Sequence, residues 1–110
     1  MRKLIIDIKN VVYGNTLGRI YYKYKKIYIY TFNFDLHSKY IKFELVFALF
    51  HELRHAYQYT MNKKFSNYDT KEDDANDFAK FMMKKYFKEI TKILYWEYDE
   101  PNINEILIRL

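Results

Sequence analysis

His51-Glu52-Leu53-Arg54-His55 sets two imidazoles four residues apart, with a carboxylate next to the first. On a helix, that spacing puts both rings on one face, about one turn apart. Two neutral imidazoles so placed can fill two corners of a tetrahedral zinc site. Glu52 is then positioned to deprotonate a water activated by that metal. Two of the chain's three histidines belong to this one pattern. The chemistry it points to is hydrolysis by metal-activated water.

A catalytic zinc takes three protein ligands and leaves a fourth position open. No histidine follows His55, so the third ligand is a carboxylate, or His37 reached from upstream. Glu72, Asp73, Asp74 and Asp77 form an acidic cluster at the start of a second helical pattern. With Ala75 as the centre of that helix's buried stripe, Glu72 lies about 60° away and Asp74 about 100° away. Asp73 and Asp77 lie near 160°, on the far side. Glu72 is therefore the first candidate and Asp74 the reserve, while Asp73 and Asp77 are expected to complement the helix dipole. The competing reading is a chance match, with His51 and His55 paired to Glu44 or Gln58. His37 reads as a surface or capping histidine, and Arg54 as a packing or salt-bridge residue. Tyr57, Tyr59 and Tyr68 are all near enough in sequence to donate to an oxyanion, and sequence does not choose among them.

The elements that carry these residues follow from periodicity. Residues 38–61 contain no Gly or Pro and read as a helix, apolar nearly all round over residues 43–50. Glu44, Ala48, His51, His55 and Gln58 fall close to one line on it, and polar groups on an apolar helix need partners. A polar loop precedes a second helix running from Thr70 to about Tyr86. Thr70 and Asp73 match a capping box, and Ala75, Phe78, Ala79, Met82 and Tyr86 form its expected buried stripe. Upstream, residues 4–8 read as a strand, set off by turn chemistry at Gly14, Asn15, Thr16 and Gly18. Residues 19–23 and 27–34, β-branched and aromatic, flank Lys25 and Lys26 and read as a hairpin. Pro101 precedes a short terminal helix over residues 102–110, and Trp96 reads as a core residue. The fold class expected is α+β: an N-terminal antiparallel sheet of about three strands, packed on the helix bearing the histidines and on a second long helix.

With 110 residues the chain fits one domain, residues 1–110, and half its residues are hydrophobic, enough for a real core. It has no cysteine, which excludes disulfides and thiolate metal sites and leaves His and carboxylate as ligands. The formal charge of +5 is spread along the chain and reads as a solvated surface. No helix-turn-helix signal or basic stripe accompanies it, so no nucleic-acid partner is expected. The apolar run at residues 45–50 is far too short to span a bilayer, so no membrane association is expected. The opening apolar run is broken by Asp7 and Lys9, so no targeting signal is read and a cytoplasmic protein is expected.

His51-Glu52-x-x-His55 followed by Glu72-x-x-Ala75-Asn76-x-Phe78-Ala79 resembles the small ImmA/IrrE-type metallopeptidases of phages and mobile elements. More broadly it resembles the gluzincin group, over roughly residues 19–87. The resemblance implies a minimal zincin-like metallopeptidase domain that holds Zn²⁺ through His51, His55 and Glu72. It implies Glu52 as general base, a protein or peptide substrate, and the cytoplasm of a bacterium or of a phage host. It also implies that Asn76 supports His51 by a hydrogen bond, and that residues 27–33 form an edge strand on which substrate lies. Arg54 stands where members usually carry a small residue, and Asn76 where larger gluzincins carry Asp. The alternative function is a catalytically inactive, metal-stabilised protein-binding module.

Overall fold

Ile27 and Ile29 have almost no exposed surface, at 0% and 3%, and their strand takes the centre of the sheet. The structure, a computed structural model, describes residues 5–9, 18–21, 26–30, 33–34, 37–61, 64–94 and 102–109. Its elements are β1 (Ile5–Lys9), β2 (Gly18–Tyr21), β3 (Lys26–Tyr30), α1 (Ile41–Thr60), α2 (Tyr68–Lys85), α3 (Phe87–Ile93) and α4 (Ile103–Arg109). The expected turn at Gly14, Asn15 and Thr16, the Lys25 turn position, Pro101 and Trp96 lie outside the described residues.

The α+β class is as expected, with β2 and β3 pairing antiparallel, Gly18 opposite Ile29 and Ile20 opposite Ile27. The sheet, however, is mixed. Strand β1 pairs with the other side of β3 in parallel, Ile6 opposite Ile27 and Ile8 opposite Ile29, giving the order β1-β3-β2. This corrects the wholly antiparallel expectation. It also corrects the expected edge strand: β3 has hydrogen-bonded neighbours on both sides, and β2 lies at the edge. The physical reason is burial, since a strand paired on both sides keeps its backbone out of water and suits the most apolar segment.

Helix α1 lies between two cores. Ala48, with Ile41, Leu45 and Leu53, packs against Ile27, Ile29 and Phe34. Tyr40 and Phe43, with Val46, Phe47 and Phe50, pack against Met83, Ile90 and Ile106 from the other helices. That two-sided burial is why α1 is apolar nearly all round. Ser38 ties the turn before it: its Oγ accepts from the Tyr40 N–H at 3.1 Å and its carbonyl from the Ile41 N–H at 3.2 Å.

Helix α2 begins two residues earlier than the Thr70 start read from sequence. Asn67, in extended backbone, is the cap, and its Oδ1 accepts from the Thr70 N–H at 2.8 Å and from the Thr70 hydroxyl at 3.0 Å. Thr70 is thus capped rather than capping, which replaces the Thr70–Asp73 box. The buried stripe is Ala75, Ala79 and Met83, each at 0% exposure. Met82 and Tyr86 fall off that line, and Tyr86 ends the helix with its N–H on the Met82 carbonyl. Two alanines on the stripe let α2 approach α1 closely. The short C-terminal helix expected after Pro101 is α4, tied to α1 by the Tyr40 hydroxyl, which donates to Glu105 Oε1 at 2.7 Å. Among the described residues, no helix is long and apolar enough to cross a membrane.

Candidate metal centre

The C-terminal half of α1 buries three polar side chains: Glu52 at 7% exposure, His55 at 6% and Gln58 at 2%. Such groups are costly inside a protein unless each is matched. Among the described residues none of the buried side-chain polar atoms lacks a partner.

His51, Glu52 and His55 each offer a ligand atom, and these atoms lie within 4.8 Å of one another, so the group could hold a metal ion. Glu72, from the first turns of α2, comes closer still. Its Oε2 lies 2.8 Å from His51 Nε2 and 3.3 Å from His55 Nε2, and the two Nε2 atoms are 3.0 Å apart. Ligand atoms about 2.0–2.1 Å from a tetrahedral zinc would be about 3.3 Å apart. The observed triangle matches that edge to within about half an ångström, so the donors present fit a zinc-sized ion.

The outer hydrogen bonds say where the lone pairs point. His51 Nδ1 faces Asn76 Oδ1 at 2.9 Å, and His55 Nδ1 faces Gln58 Oε1 at 2.8 Å. The Gln58 orientation is set independently, because its Nε2 donates to the Lys71 carbonyl at 3.1 Å and to Asp74 Oδ2 at 2.8 Å. Amide oxygens only accept, so His55 carries its proton on Nδ1, and His51 does likewise with Asn76 Oδ1 turned towards it. Both Nε2 atoms then present lone pairs to each other and to a carboxylate oxygen. A cation or an added proton among them would relieve three acceptors packed that tightly. The proton is disfavoured on His51: burial first, then the neighbouring His55, lowers its pKa despite Glu72 and Asn76.

The two glutamates differ in charge state. Burial pushes Glu52 up to about 7, the Glu72 charge adds to this, and Lys71 opposes it. Burial also pushes Glu72 up, but the Tyr68 hydroxyl and the two histidines outweigh it, and its carboxyl sits below the ordinary range. Tyr68 opens α2 four residues before Glu72, so the two share a face, and the hydrogen bond to Glu72 raises the phenol's own pKa. Glu52 is held from the sheet side by Gly18 on β2. A Cβ at Gly18 would sit 3.1 Å from Glu52 Cγ, 3.1 Å from Ile29 Cδ1 and 3.2 Å from the Tyr28 carbonyl. A side chain there would press on all three by a few tenths of an ångström, so glycine suits this close approach.

Asp74, the reserve ligand, is used elsewhere. Arg54 grips it with Nε to Oδ2 at 2.8 Å and a terminal nitrogen to Oδ1 at 3.2 Å. Arg54 is itself flanked by the Tyr57 ring, 4.6 Å from its centroid, and the Phe78 ring at 5.2 Å. Asp73 and Asp77 are exposed, and His37 is exposed in the turn before α1. Sequence reasoning underused three residues. Gln58 was read as a competitor for His55, yet it holds Nδ1 and leaves Nε2 to the site; its i+3 spacing from His55 was the available signal. Tyr68 was one of three equal tyrosines until the start of α2 was placed. Gly18 was read only as turn chemistry. No protein-family model, curated protein or solved structure matches this chain.

Proposed function

We propose that this chain is a zinc-dependent metallopeptidase of gluzincin type, with His51, His55 and Glu72 as ligands and Glu52 as general base. The observation that carries the reading is the convergence of two Nε2 lone pairs and one carboxylate oxygen within 3.3 Å. Glu72 is preferred to Glu52 as third ligand because its oxygen faces both imidazoles and its carboxyl is held ionised. Bound there, zinc supplies Lewis acidity and lowers the pKa of water to about 7.

The remaining work belongs to the chain's own groups. Glu52, with a carboxyl near neutrality, takes a proton from the attacking water and hands it to the leaving amine. Asn76 and Gln58 keep the two imidazoles in the tautomer that frees Nε2. The Tyr68 hydroxyl donates to Glu72 and helps keep that ligand ionised. An extended peptide adds to the outer edge of β2, the strand that touches Glu52 through Gly18.

Elemental analysis together with hydrolysis of fluorescent casein tests the reading. Wild type and Glu52→Gln are expected to carry stoichiometric zinc, with hydrolysis in the former alone. Glu72→Ala is expected to lose the metal and Asp74→Ala to retain it when zinc is in excess. Wild type that stays metal-free after zinc is added, or Glu52→Gln that loses zinc stoichiometrically, overturns the assignment.

A further inference from the structure

We propose that Gln58 is a positioning residue that sets metal affinity by fixing His55 and the Glu72 turn of α2 to each other. The inference rests on the metal-centre reading above. Gln58 is 2% exposed and spends its whole amide on this junction. Its Oε1 accepts from His55 Nδ1 at 2.8 Å. Its Nε2 donates to the Lys71 carbonyl at 3.1 Å and to Asp74 Oδ2 at 2.8 Å. Lys71 and Asp74 flank Glu72 in α2, so one side chain on α1 holds a ligand of its own helix and the turn that carries the ligand of the other. Asp74 is in turn clamped by Arg54 at 2.8 and 3.2 Å. Arg54, Asp74, Gln58 and His55 thus form one hydrogen-bonded chain that ends on a ligand. His55 and Glu72 come from different helices, and without that chain their separation would depend on apolar packing and on the His51–Asn76 hydrogen bond. Apolar packing tolerates small slips, whereas a ligand triangle does not.

The test is zinc affinity, measured by competition with a chromophoric chelator, with far-UV circular dichroism reporting the fold. Gln58→Met is expected to weaken zinc binding by about 10–100-fold, as for other residues that orient ligands. Asp77→Asn, an exposed acid of the same helix, is expected to leave affinity unchanged. Gln58→Glu keeps the acceptor for His55 Nδ1 but sets a carboxylate against Asp74 and the Lys71 carbonyl, and is expected to bind zinc at least about tenfold more weakly. It preserves the side-chain shape, so it decides the matter if Gln58→Met does not fold. Proton NMR of the zinc-loaded protein reads the contact itself: the His55 Nδ1–H is expected to exchange faster with water in Gln58→Met, while the His51 Nδ1–H, held by Asn76, is unchanged. General damage to the fold would expose both. A folded Gln58 variant within about twofold of wild type, or equal loss of protection at the two imidazoles, overturns the proposal. Wild type that binds no zinc defeats the metal reading itself, whereas wild type that binds zinc and tolerates the Gln58 variants defeats this inference alone.

Discussion

Glu52→Gln should stabilise the zinc-free protein above pH 7 and leave it unchanged near pH 4. Glu52 is 7% exposed, on α1 against Gly18 of β2, with Glu72 nearby. Its pKa rises from an ordinary 4.5 to about 7. A folded-state pKa above the unfolded value means that the fold holds this proton more tightly than the unfolded chain does. Below pH 4.5 both states are protonated and the site carries no penalty. As pH rises from 4.5 towards 7 the unfolded chain ionises first, and stability is lost across that window. Above 7 the full penalty stands, and a shift of about 2.5 units corresponds to about 3 kcal/mol. Gln has nearly the shape of Glu and does not ionise, so it escapes the penalty. For a domain of this size the gain is a rise in Tm on the order of 10–20 °C. Urea unfolding of both proteins in excess chelator, from pH 4 to pH 8, measures the difference directly. Groups that do not interact with Glu52 cancel in the subtraction, while Glu72 contributes through its charge on Glu52. Saturating zinc should shrink the gain, because a nearby cation favours the ionised carboxylate. A difference that does not vary with pH, or a Gln variant less stable than wild type at pH 8, would refute the reasoning.

Other perturbations separate the site from its scaffold. Asn76→Ala removes the acceptor on His51 Nδ1, and zinc affinity should fall about 10–100-fold with little change in the chelator-treated protein's unfolding. Met83→Ala empties a position of 0% exposure between α1 and the later helices, and should cost about 2–5 kcal/mol in urea unfolding. Asn67→Ala removes the cap of α2 and should cost about 1 kcal/mol. Because α2 carries Glu72, the same change should raise amide exchange in the first turn, read by hydrogen–deuterium exchange; unchanged exchange there would discount Asn67 as the cap.

Much of the candidate site was legible because helices are periodic. His51 and His55 on one face, Glu72 rather than Asp74 beside both, and Asn76 beside His51 all follow from local spacing or from resemblance to a motif built on it. The observed short distances among His51, His55 and Glu72 are what that spacing requires once α1 and α2 lie side by side. The start of α2 was misplaced because Thr70 and Asn67 are both good caps, and which one stays extended depends on how the preceding loop packs. The sheet was half legible: alternation in residues 27–30 marks a strand, and the short gap marks a hairpin. Which neighbour takes the far side of β3 is a non-local choice that no local pattern records.

Taken alone, the sequence determined that two imidazoles share a helix face with an acid beside the first, that no thiolate can join them, and that any third protein ligand is a carboxylate or His37. Those are properties of residue type and of a 3.6-residue turn. Tertiary structure decided the rest. It brought Gly18 from β2 against Glu52, a contact across more than thirty positions that a Cβ would crowd. It gave Asp74 to Arg54 and Gln58, and left Glu72 facing the histidines. It also turned Glu52 from an ordinary carboxylate into one with a pKa of about 7, because desolvation belongs to the packed core and not to the chain.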